Sequence, residues 1–175
     1  AKKPHLSVLD YSQQKIDKIK SLLEEYDIEC SCLAGYTNFT GGLEHSEIPF
    51  PEIQINYVTD LAKIAQELNC KLIRIFTGYE REDMSFWDQW DLCVKSIKEC
   101  CQRADEYDVK IGIQNHHDIG VNVDELNSMI DEIDEHNCRA MFDAWAPTLQ
   151  DENLQYLVPR IIDKMAYTTA ADYVK

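Results

Sequence analysis

The stretch YVTDLAKIAQELNCKLIRIFTGYE, residues 57–80, runs from a helix into a strand and decides the fold. Apolar residues recur in its first half at spacings of three and four, which predicts one buried face of a helix over residues 52–68. A short, mostly apolar run over residues 70–77 then ends at Gly78, which predicts a buried strand. One helix followed by one strand is the repeating unit of an α/β fold.

The same alternation recurs along the whole chain. Further helices are predicted over residues 13–26, with Ser12 or Asp10 as the candidate N-cap, over residues 87–104, and in two segments capped by Asn122 and Asp151. Further strands are predicted over residues 28–35, 109–115, 138–144 and 165–171. Strict alternation predicts parallel strands with right-handed crossovers, hence an α/β fold. Two architectures satisfy it, a (β/α) TIM barrel and an open doubly wound sheet.

The ends of the pattern indicate how much of a barrel is present. The first predicted helix has no strand before it, and the last predicted strand has no helix after it. A complete TIM barrel takes about 250 residues. We therefore expect residues 1–175 to form a single domain that is the interior portion of a TIM barrel, with about five of its eight βα units.

Composition disfavours several classes of function. The net charge is −15, with 32 acidic against 17 basic residues. A nucleic-acid partner is disfavoured because binding the phosphate backbone requires basic residues. No apolar run approaches the ~20 residues of a membrane span, and no apolar run follows Lys2 and Lys3 as in a signal peptide. The seven cysteines are odd in number and form no CxxC pair, so reduced thiols in a cytoplasmic protein are expected.

The helix predicted over residues 87–104 has the most regular apolar period in the chain. Trp87 and Trp90 open this period, three residues apart. We expect both indole rings to anchor the core rather than to stack on a substrate.

Polar side chains follow each predicted strand, at the end where parallel α/β folds form their sites. The densest group is QNHHD, residues 114–118, whose two histidines suit metal ligation or acid–base chemistry. Histidines that only bond to neighbouring backbone are the structural alternative. Asp143 follows an apolar pair at another strand end. We expect it to be functional rather than a helix cap, because the next predicted helix begins several residues later.

Four stretches resemble the xylose isomerase-like sugar phosphate isomerases and epimerases. They are residues 48–80 and the segments VKIGIQNHHD (109–118), CRAMFDAWAP (138–147) and MAYTTAADY (165–173). The resemblance covers nearly the whole chain. It implies a TIM barrel in which the five strands are the third to the seventh, so that the first two strands and the eighth would lie outside residues 1–175.

The resemblance also implies a metal site. The family typically holds one divalent ion, Mn²⁺ or Mg²⁺, through a Glu, an Asp, a His and a second Glu. By motif, the first Glu corresponds to Gln114, the Asp to Asp143 and the His to Thr169, and the second Glu falls beyond residue 175. Asp143 and Gln114 are therefore expected to bind metal in a degenerate site. A Gln oxygen cannot act as a general base, so His116 and His117 are expected as catalytic residues or ligands instead.

The leading hypothesis is an isomerase or epimerase that acts on a sugar or sugar phosphate through metal-assisted proton transfer. Substrate binding is assigned to Glu80, Arg74, Trp145 and Thr169, although a surface ion pair is the more ordinary role of Glu80 and Arg74. Asp143 could serve as a hydrogen-bond acceptor for substrate instead of a metal ligand. The expected partner is a small-molecule carbohydrate, with no nucleic acid and no membrane, and a homo-oligomer is compatible with the sequence.

Three alternatives remain open. One keeps the barrel but changes the reaction to that of a lyase or hydrolase on an oxidised sugar or glycoside. Another is a metal-free sugar-binding homologue without catalysis. A metal-dependent endonuclease of the same superfamily is disfavoured by the acidic charge and by the lack of a multi-histidine cluster.

Overall fold

The computed structural model describes residues 6–45 and 47–169, and its centre is a single parallel sheet. The strands are β1 (Leu33–Ala34), β2 (Leu72–Ile75), β3 (Lys110–Gln114), β4 (Cys138–Asp143) and β5 (Met165–Thr169). They lie in the sheet in sequence order, and all neighbours are parallel. An open doubly wound sheet reverses its order at a switch point, whereas a barrel adds each strand beside the last. The order confirms the partial TIM barrel.

The helices of the described segments follow the strands and pack on one another. They are α1 (Gln13–Glu25), α2 (Phe50–Glu67), α3 (Phe86–Asp105), α4 (Val123–Ile133), α5 (Trp145–Leu149) and α6 (Leu154–Ile161). Contacts join α2 to α3, α3 to α4, and α4 to α6. The longer helices therefore form a layer over one face of the sheet, as the outer ring of a barrel does.

Local sequence explains where these helices begin and end. The side chains of Ser12 and Asn122 accept hydrogen bonds from the backbone N–H groups of Lys15 and Glu125, which confirms both predicted caps. The first four helices are each followed by a residue with φ between 50° and 56°. These residues are Asp27, Asn69, Asp108 and Asp134. Asp and Asn tolerate this left-handed conformation better than other non-glycine residues, so they end helices here as glycine does elsewhere.

The two faces of the sheet differ in chemistry because side chains alternate along a strand. Ile73, Ile75, Ile111 and Ile113 are fully buried in one cluster with the apolar faces of the helices. Residues at the intervening positions line a cleft on the opposite face, inside the partial barrel. Period-two alternation thus separates the core from the candidate site.

Several predicted boundaries differ from the structure. β1 is limited to two residues, and its pairing partner in the described sheet is β2 alone, so the apolar run over residues 28–35 is mostly irregular. β5 ends at Thr169, and the rest of the predicted strand lies outside the described residues. α6 begins at Leu154, and its cap is Asn153 rather than Asp151, because the Asn153 side chain accepts from the N–H of Gln155.

The two tryptophans of α3 have different environments. Trp90 is 6% exposed and donates from Nε1 to Oε2 of Glu132 at 2.7 Å. Trp87 is 72% exposed, although its ring touches Phe86 and Trp90. The prediction of a core anchor is confirmed for Trp90 and wrong for Trp87, whose side chain faces solvent.

Two features bear on the predictions from composition. All seven cysteines are free thiols, and five of them are buried. Within residues 6–45 and 47–169, no helix has both the length and the apolar character needed to cross a membrane.

Candidate functional site

A cleft of about 490 Å³ opens at the carboxyl ends of the strands. Its lining combines aromatic and aliphatic surface with polar groups, which is typical of small-molecule sites. The lining residues are Ala34, Arg74, Phe76, Gln114, His116, Met141, Asp143, Trp145 and Thr169. Six of these were named from the sequence as site residues: Arg74, Gln114, His116, Asp143, Trp145 and Thr169. The structure therefore brings most of the expected residues together.

Asp143 is buried at the end of β4, and both of its carboxylate oxygens have partners. Oδ2 accepts from Nε2 of Gln114 at 2.6 Å, and Oδ1 accepts from the backbone N–H of Trp145 at 2.9 Å. The second bond lies at the start of α5, a short helix that the sequence did not predict. The next helix therefore begins two residues after Asp143, not several residues later as the sequence indicated, and its N-cap residue is Ala144.

Asn115 holds the strand end below this carboxylate and was not assigned a role from the sequence. It is fully buried. Its Nδ2 donates to the carbonyl oxygen of Asp143 at 2.9 Å, and its Oδ1 accepts from the N–H of Asp143 at 2.7 Å. This two-bond bridge fixes the backbone of β4 against β3, so it positions Asp143 rather than meeting a ligand.

The two histidines of the QNHHD segment have different positions. His116 is exposed and lines the cleft. His117 is 1% exposed and stacks between Phe76 and Tyr79, with ring centroids 4.3 and 4.1 Å away. The Nδ1 atoms of the two histidines lie 3.4 Å apart. His116 is therefore available to a ligand, whereas His117 supports the wall behind it.

The buried position of His117 determines its charge. Burial is the main cause that lowers the pKa of His117, to about 4; the neighbouring His116 and Arg74 side chains act in the same direction, and the Asp118 carboxylate opposes them. Its Nε2 is buried without a hydrogen-bond partner. An imidazole with this pKa is neutral at pH 7. The rings of Phe76 and Tyr79 therefore stack on an uncharged group.

Arg74 projects from β2 into the cleft and does not form the ion pair expected for a surface arginine. Its side chain is half-buried, with the guanidinium carbon 4.0 Å above the centre of the Phe76 ring. No carboxylate of the described chain lies within ion-pair distance, and Nη1 is buried without a partner. Burial lowers the pKa of Arg74 from its usual value, yet a guanidinium keeps its charge in proteins.

Glu80 lies outside the cleft. Its side chain is exposed, and its backbone N–H donates to Oδ2 of Asp118 at 2.9 Å. In the part of the chain that the structure describes, Glu80 forms no ion pair either. Of the four residues assigned to substrate binding, Glu80 alone is not brought to the cleft.

Thr169 and Trp145 complete the polar end of the cleft. Thr169 ends β5 directly opposite Asp143 in the strand register, and its Oγ1 is buried without a partner. Trp145 begins α5 and presents its half-buried side chain to the same cleft. The polar residue that follows in the sequence, Asp172, lies outside the described residues.

The apolar part of the lining was missed from the sequence. Phe76 and Met141 stand two residues from Arg74 and Asp143, respectively, and therefore share their face of the sheet. Period-two spacing from the polar candidates would have found them. A cleft with rings and aliphatic surface beside hydrogen-bonding groups suits a ligand with both carbon–hydrogen faces and hydroxyls, as a sugar has.

The described donors do not fit a divalent metal ion. In residues 6–45 and 47–169 no three His, Cys, Asp or Glu side chains lie close enough together to hold one. Among the described residues that line the cleft, Asp143 is the single carboxylate, and both its oxygens already accept hydrogen bonds. Gln114 directs its donor nitrogen at that carboxylate, and the Arg74 cation shares the cleft. Hard cations require several oxygen ligands and are repelled by a neighbouring positive charge.

Sequence comparison agrees with the architecture. The model of a family described as xylose isomerase-like TIM barrel matches residues 1–175. The chain belongs to this family. No match to a curated protein was found.

Solved structures of the same architecture include sugar epimerases. A 3-keto-D-glucoside 4-epimerase from E. coli superposes with a TM-score of 0.78 at 13% identity, covering 91% of this chain and 65% of that one. D-Psicose 3-epimerase from Clostridium cellulolyticum H10, solved with D-tagatose, gives 0.75 at 16% identity, covering 90% and 57%. A probable 3-DHS dehydratase from Bacillus anthracis gives 0.72 at 13% identity, covering 89% and 55%. At these identities the likeness shows the fold, and the chain spans 55% to 65% of each of these structures.

Proposed function

We propose that the protein is a carbohydrate-active isomerase or epimerase and that the cleft at the strand ends is its active site. One observation carries the proposal: an accessible imidazole, His116, shares a 490 Å³ cleft with hydrogen-bonding groups and with the aromatic side chain of Trp145. Family membership supports it, as do the epimerases among the structures of the same fold.

The proposed reaction begins with one proton transfer. The His116 imidazole takes a proton from the carbon next to the substrate carbonyl, the electron pair of that C–H bond forms the double bond of an enediolate, and the carbonyl oxygen gains the negative charge. For an epimer, a solvent water gives a proton to the opposite face of that carbon, and the resulting hydroxide takes the proton held by His116. For an isomer, His116 returns its proton to the neighbouring carbon, and the hydroxyl proton moves from one oxygen to the other. Both outcomes leave the histidine and the overall charge unchanged.

The other cleft residues bind and orient the sugar in this proposal. Gln114 keeps Oε1 as an acceptor for a hydroxyl while its Nε2 holds Asp143. Each carboxylate oxygen of Asp143 retains a lone pair for a second hydrogen bond. Trp145 provides a ring for the carbon–hydrogen face of a sugar, whereas the faces of Phe76 are covered by Arg74 and His117. His117 positions His116 through the wall of stacked rings.

Isotope exchange tests the proton transfer. The complete protein is incubated in D₂O with a panel of aldoses, ketoses and their oxidised or phosphorylated forms, and deuterium at the carbon next to the carbonyl is measured by NMR. We expect exchange with at least one substrate and a loss of about 100-fold or more in His116→Gln, which is the usual contribution of a general base. The control is His136→Gln, an exposed histidine paired with Asp105 away from the cleft. No exchange across the panel would refute the proposal.

Metal analysis tests the fit of the donors. Because the described residues do not make a metal site, we expect the protein purified without chelator to be no more stable to heat in Mn²⁺ or Mg²⁺ than in their absence. A stoichiometric ion with a clear rise in Tm would contradict this expectation and would restore Asp143 and Gln114 as metal-binding residues.

A lyase is the second candidate, and the likeness to a probable 3-DHS dehydratase favours it. An elimination begins with the same proton abstraction, but the enediolate or enolate then expels a hydroxyl group as water instead of regaining the proton. The NMR experiment separates the two, because an elimination gives a new vinylic signal and no deuterated substrate.

A further inference from the structure

Arg74 places a positive charge in the cleft that the described chain does not neutralise. Its guanidinium donates no hydrogen bond to protein atoms of residues 6–45 and 47–169, and its contact with Phe76 is with a ring face. The nearest acidic group of the lining, Asp143, uses its oxygens for Gln114 and Trp145. A half-buried cation without an anionic partner is unfavourable, so proteins usually pair it.

The other arginines show that partners are plentiful in this chain. Arg81, Arg103 and Arg160 each form an ion pair with an acidic side chain. Arg139 donates from Nη1 to a backbone carbonyl at 3.1 Å. With 32 acidic and 17 basic residues, an acidic neighbour for Arg74 would be easy to supply. The unpaired charge is therefore specific to the cleft.

A second polar group of the cleft also lacks a partner. Thr169 Oγ1 is buried at the end of β5 and makes no hydrogen bond with residues 6–45 or 47–169. Thr169 and Arg74 both line the cleft, from strands on either side of β3 and β4. A planar guanidinium and a hydroxyl are both donors that an oxyanion accepts.

We propose that the cleft binds a carbohydrate that carries an anionic group, a carboxylate or a phosphate, and that Arg74 and Thr169 receive this group. The inference rests on the proposed function, since it names the substrate class of the same cleft. The guanidinium fork matches the two oxygens of a carboxylate or phosphate. Binding supplies the counter-charge that the fold leaves out, and it directs the neutral part of the sugar towards Gln114 and His116.

Binding measurements on the complete protein test the substrate class. The probes for calorimetry are D-glucuronate, D-glucose 6-phosphate, D-glucose and inorganic phosphate. We expect at least one anionic sugar to bind more tightly than D-glucose, and the preferred anion to distinguish a carboxylate from a phosphate site. Affinity should fall with added NaCl for the anionic sugars alone, because salt screens the ion pair.

Substitution of Arg74 gives the matched comparison. Arg74→Gln should weaken anionic-sugar binding roughly 10- to 100-fold, the loss expected for a charge-assisted hydrogen bond, and should weaken D-glucose binding by a smaller factor. Arg139→Gln makes the same change of net charge on β4, at a cleft away from the site, and should bind as the unaltered protein does. Arg74→Lys retains the charge, so its affinity for anionic sugars should lie between those of Arg74→Gln and the unaltered protein. This variant tests the inference if Arg74→Gln does not fold.

Each contrary result has a distinct meaning. The inference is overturned if D-glucose binds as tightly as the anionic sugars, if no sugar of the panel binds, or if Arg74→Gln and Arg139→Gln behave alike. Inorganic phosphate that binds as tightly as the sugar phosphate would refute recognition of a carbohydrate. Arg74-dependent binding without deuterium exchange would keep the inference and refute the isomerase. Deuterium exchange on neutral sugars alone would refute the anionic substrate class and keep the isomerase.

Discussion

Gln114 and Asp143, at the ends of neighbouring strands, are joined by a hydrogen bond of 2.6 Å from Nε2 to Oδ2. The bond gives the carboxylate a donor in a buried position, where an unpartnered charge would be costly. A second carboxylate at position 114 would remove this donor and place two negative charges together. The amide is therefore suited to a site without a bound cation.

Gln114→Glu should destabilise the protein and make it respond to metal. Two carboxylates at this distance repel unless they share a proton, so we expect a loss of about 1–3 kcal/mol at pH 7, which becomes larger as the pH rises. Added Mn²⁺ should recover part of the loss, because the variant has a pair of oxygen ligands. Urea denaturation with and without Mn²⁺ measures both effects.

The control for this prediction is Gln102→Glu. Gln102 donates from Nε2 to Oε1 of Glu135 at 2.8 Å on the protein surface. The same substitution there brings two carboxylates together in solvent, where screening keeps the cost below about 1 kcal/mol. Equal destabilisation of the two variants, or a response to Mn²⁺ in neither, would contradict the prediction.

His117 should make the protein sensitive to acid. Its pKa is lowered to about 4 in the folded state, whereas an unfolded histidine titrates near 6.5. The unfolded chain therefore binds more protons between these values, and stability is lost as the pH falls from about 6.5 to about 4. We expect a contribution of about 2 kcal/mol across this window, measured by urea denaturation at several pH values.

His117→Phe is the matched variant for the acid sensitivity. Phenylalanine keeps a ring between Phe76 and Tyr79 but cannot accept a proton. Its stability should change less between pH 7 and pH 4 than that of the unaltered protein. Parallel stability curves for the two proteins would show that His117 is not the titrating group.

Gly78→Ala should destabilise the loop after β2 by about 1–3 kcal/mol, a typical cost of overpacking. A Cβ at this position would overlap Oγ1 and Cγ2 of Thr40. Thr40 is fully buried and donates from Oγ1 to the carbonyl of Tyr79 at 2.6 Å, so its side chain has no room to turn away. Thermal unfolding of the variant, compared with the double variant Gly78→Ala with Thr40→Ala, checks the cause. A double variant less stable than Gly78→Ala would contradict the overlap.

Trp87 and Trp90 provide a comparison within one turn of α3. Trp90→Ala should cost about 3–5 kcal/mol, because a large buried ring is removed and Glu132 loses its donor. Trp87→Ala should change stability by no more than about 0.5 kcal/mol, since its side chain is mostly exposed. Circular dichroism follows the unfolding of both variants without relying on tryptophan fluorescence. Similar losses of stability in the two variants would show that the exposed Trp87 ring also contributes to packing.

Local patterns determined much of the fold. Periods of three and four placed the helices, short apolar runs placed the strands, and Ser12 and Asn122 marked helix starts that the structure confirms. Predicted strand boundaries differ from the structure where pairing with a neighbouring strand determines them. β1 is limited to two residues, and among the described strands it pairs with β2 alone. The local sequence pattern contains no information about this pairing.

The candidate site was predictable in location and less so in detail. Strand ends of a parallel α/β fold meet at one edge, so the sequence alone brought Arg74, Gln114, His116, Asp143 and Thr169 to one place. It could not separate His116 from His117, since both lie beyond the end of β3, where the period-two alternation of a strand no longer applies. It also missed α5, a five-residue helix too short to show a period.

The sequence by itself determined that strands alternate with helices and which residues end the strands, because both depend on neighbours a few positions away. The tertiary structure alone decided which of those residues have partners. Gln114 meets Asp143 from 29 positions away, His117 is enclosed by two rings from other segments, and Arg74 is left without a carboxylate. Such pairings depend on the strand register and on packing, and these physical constraints act only once the whole sheet has formed.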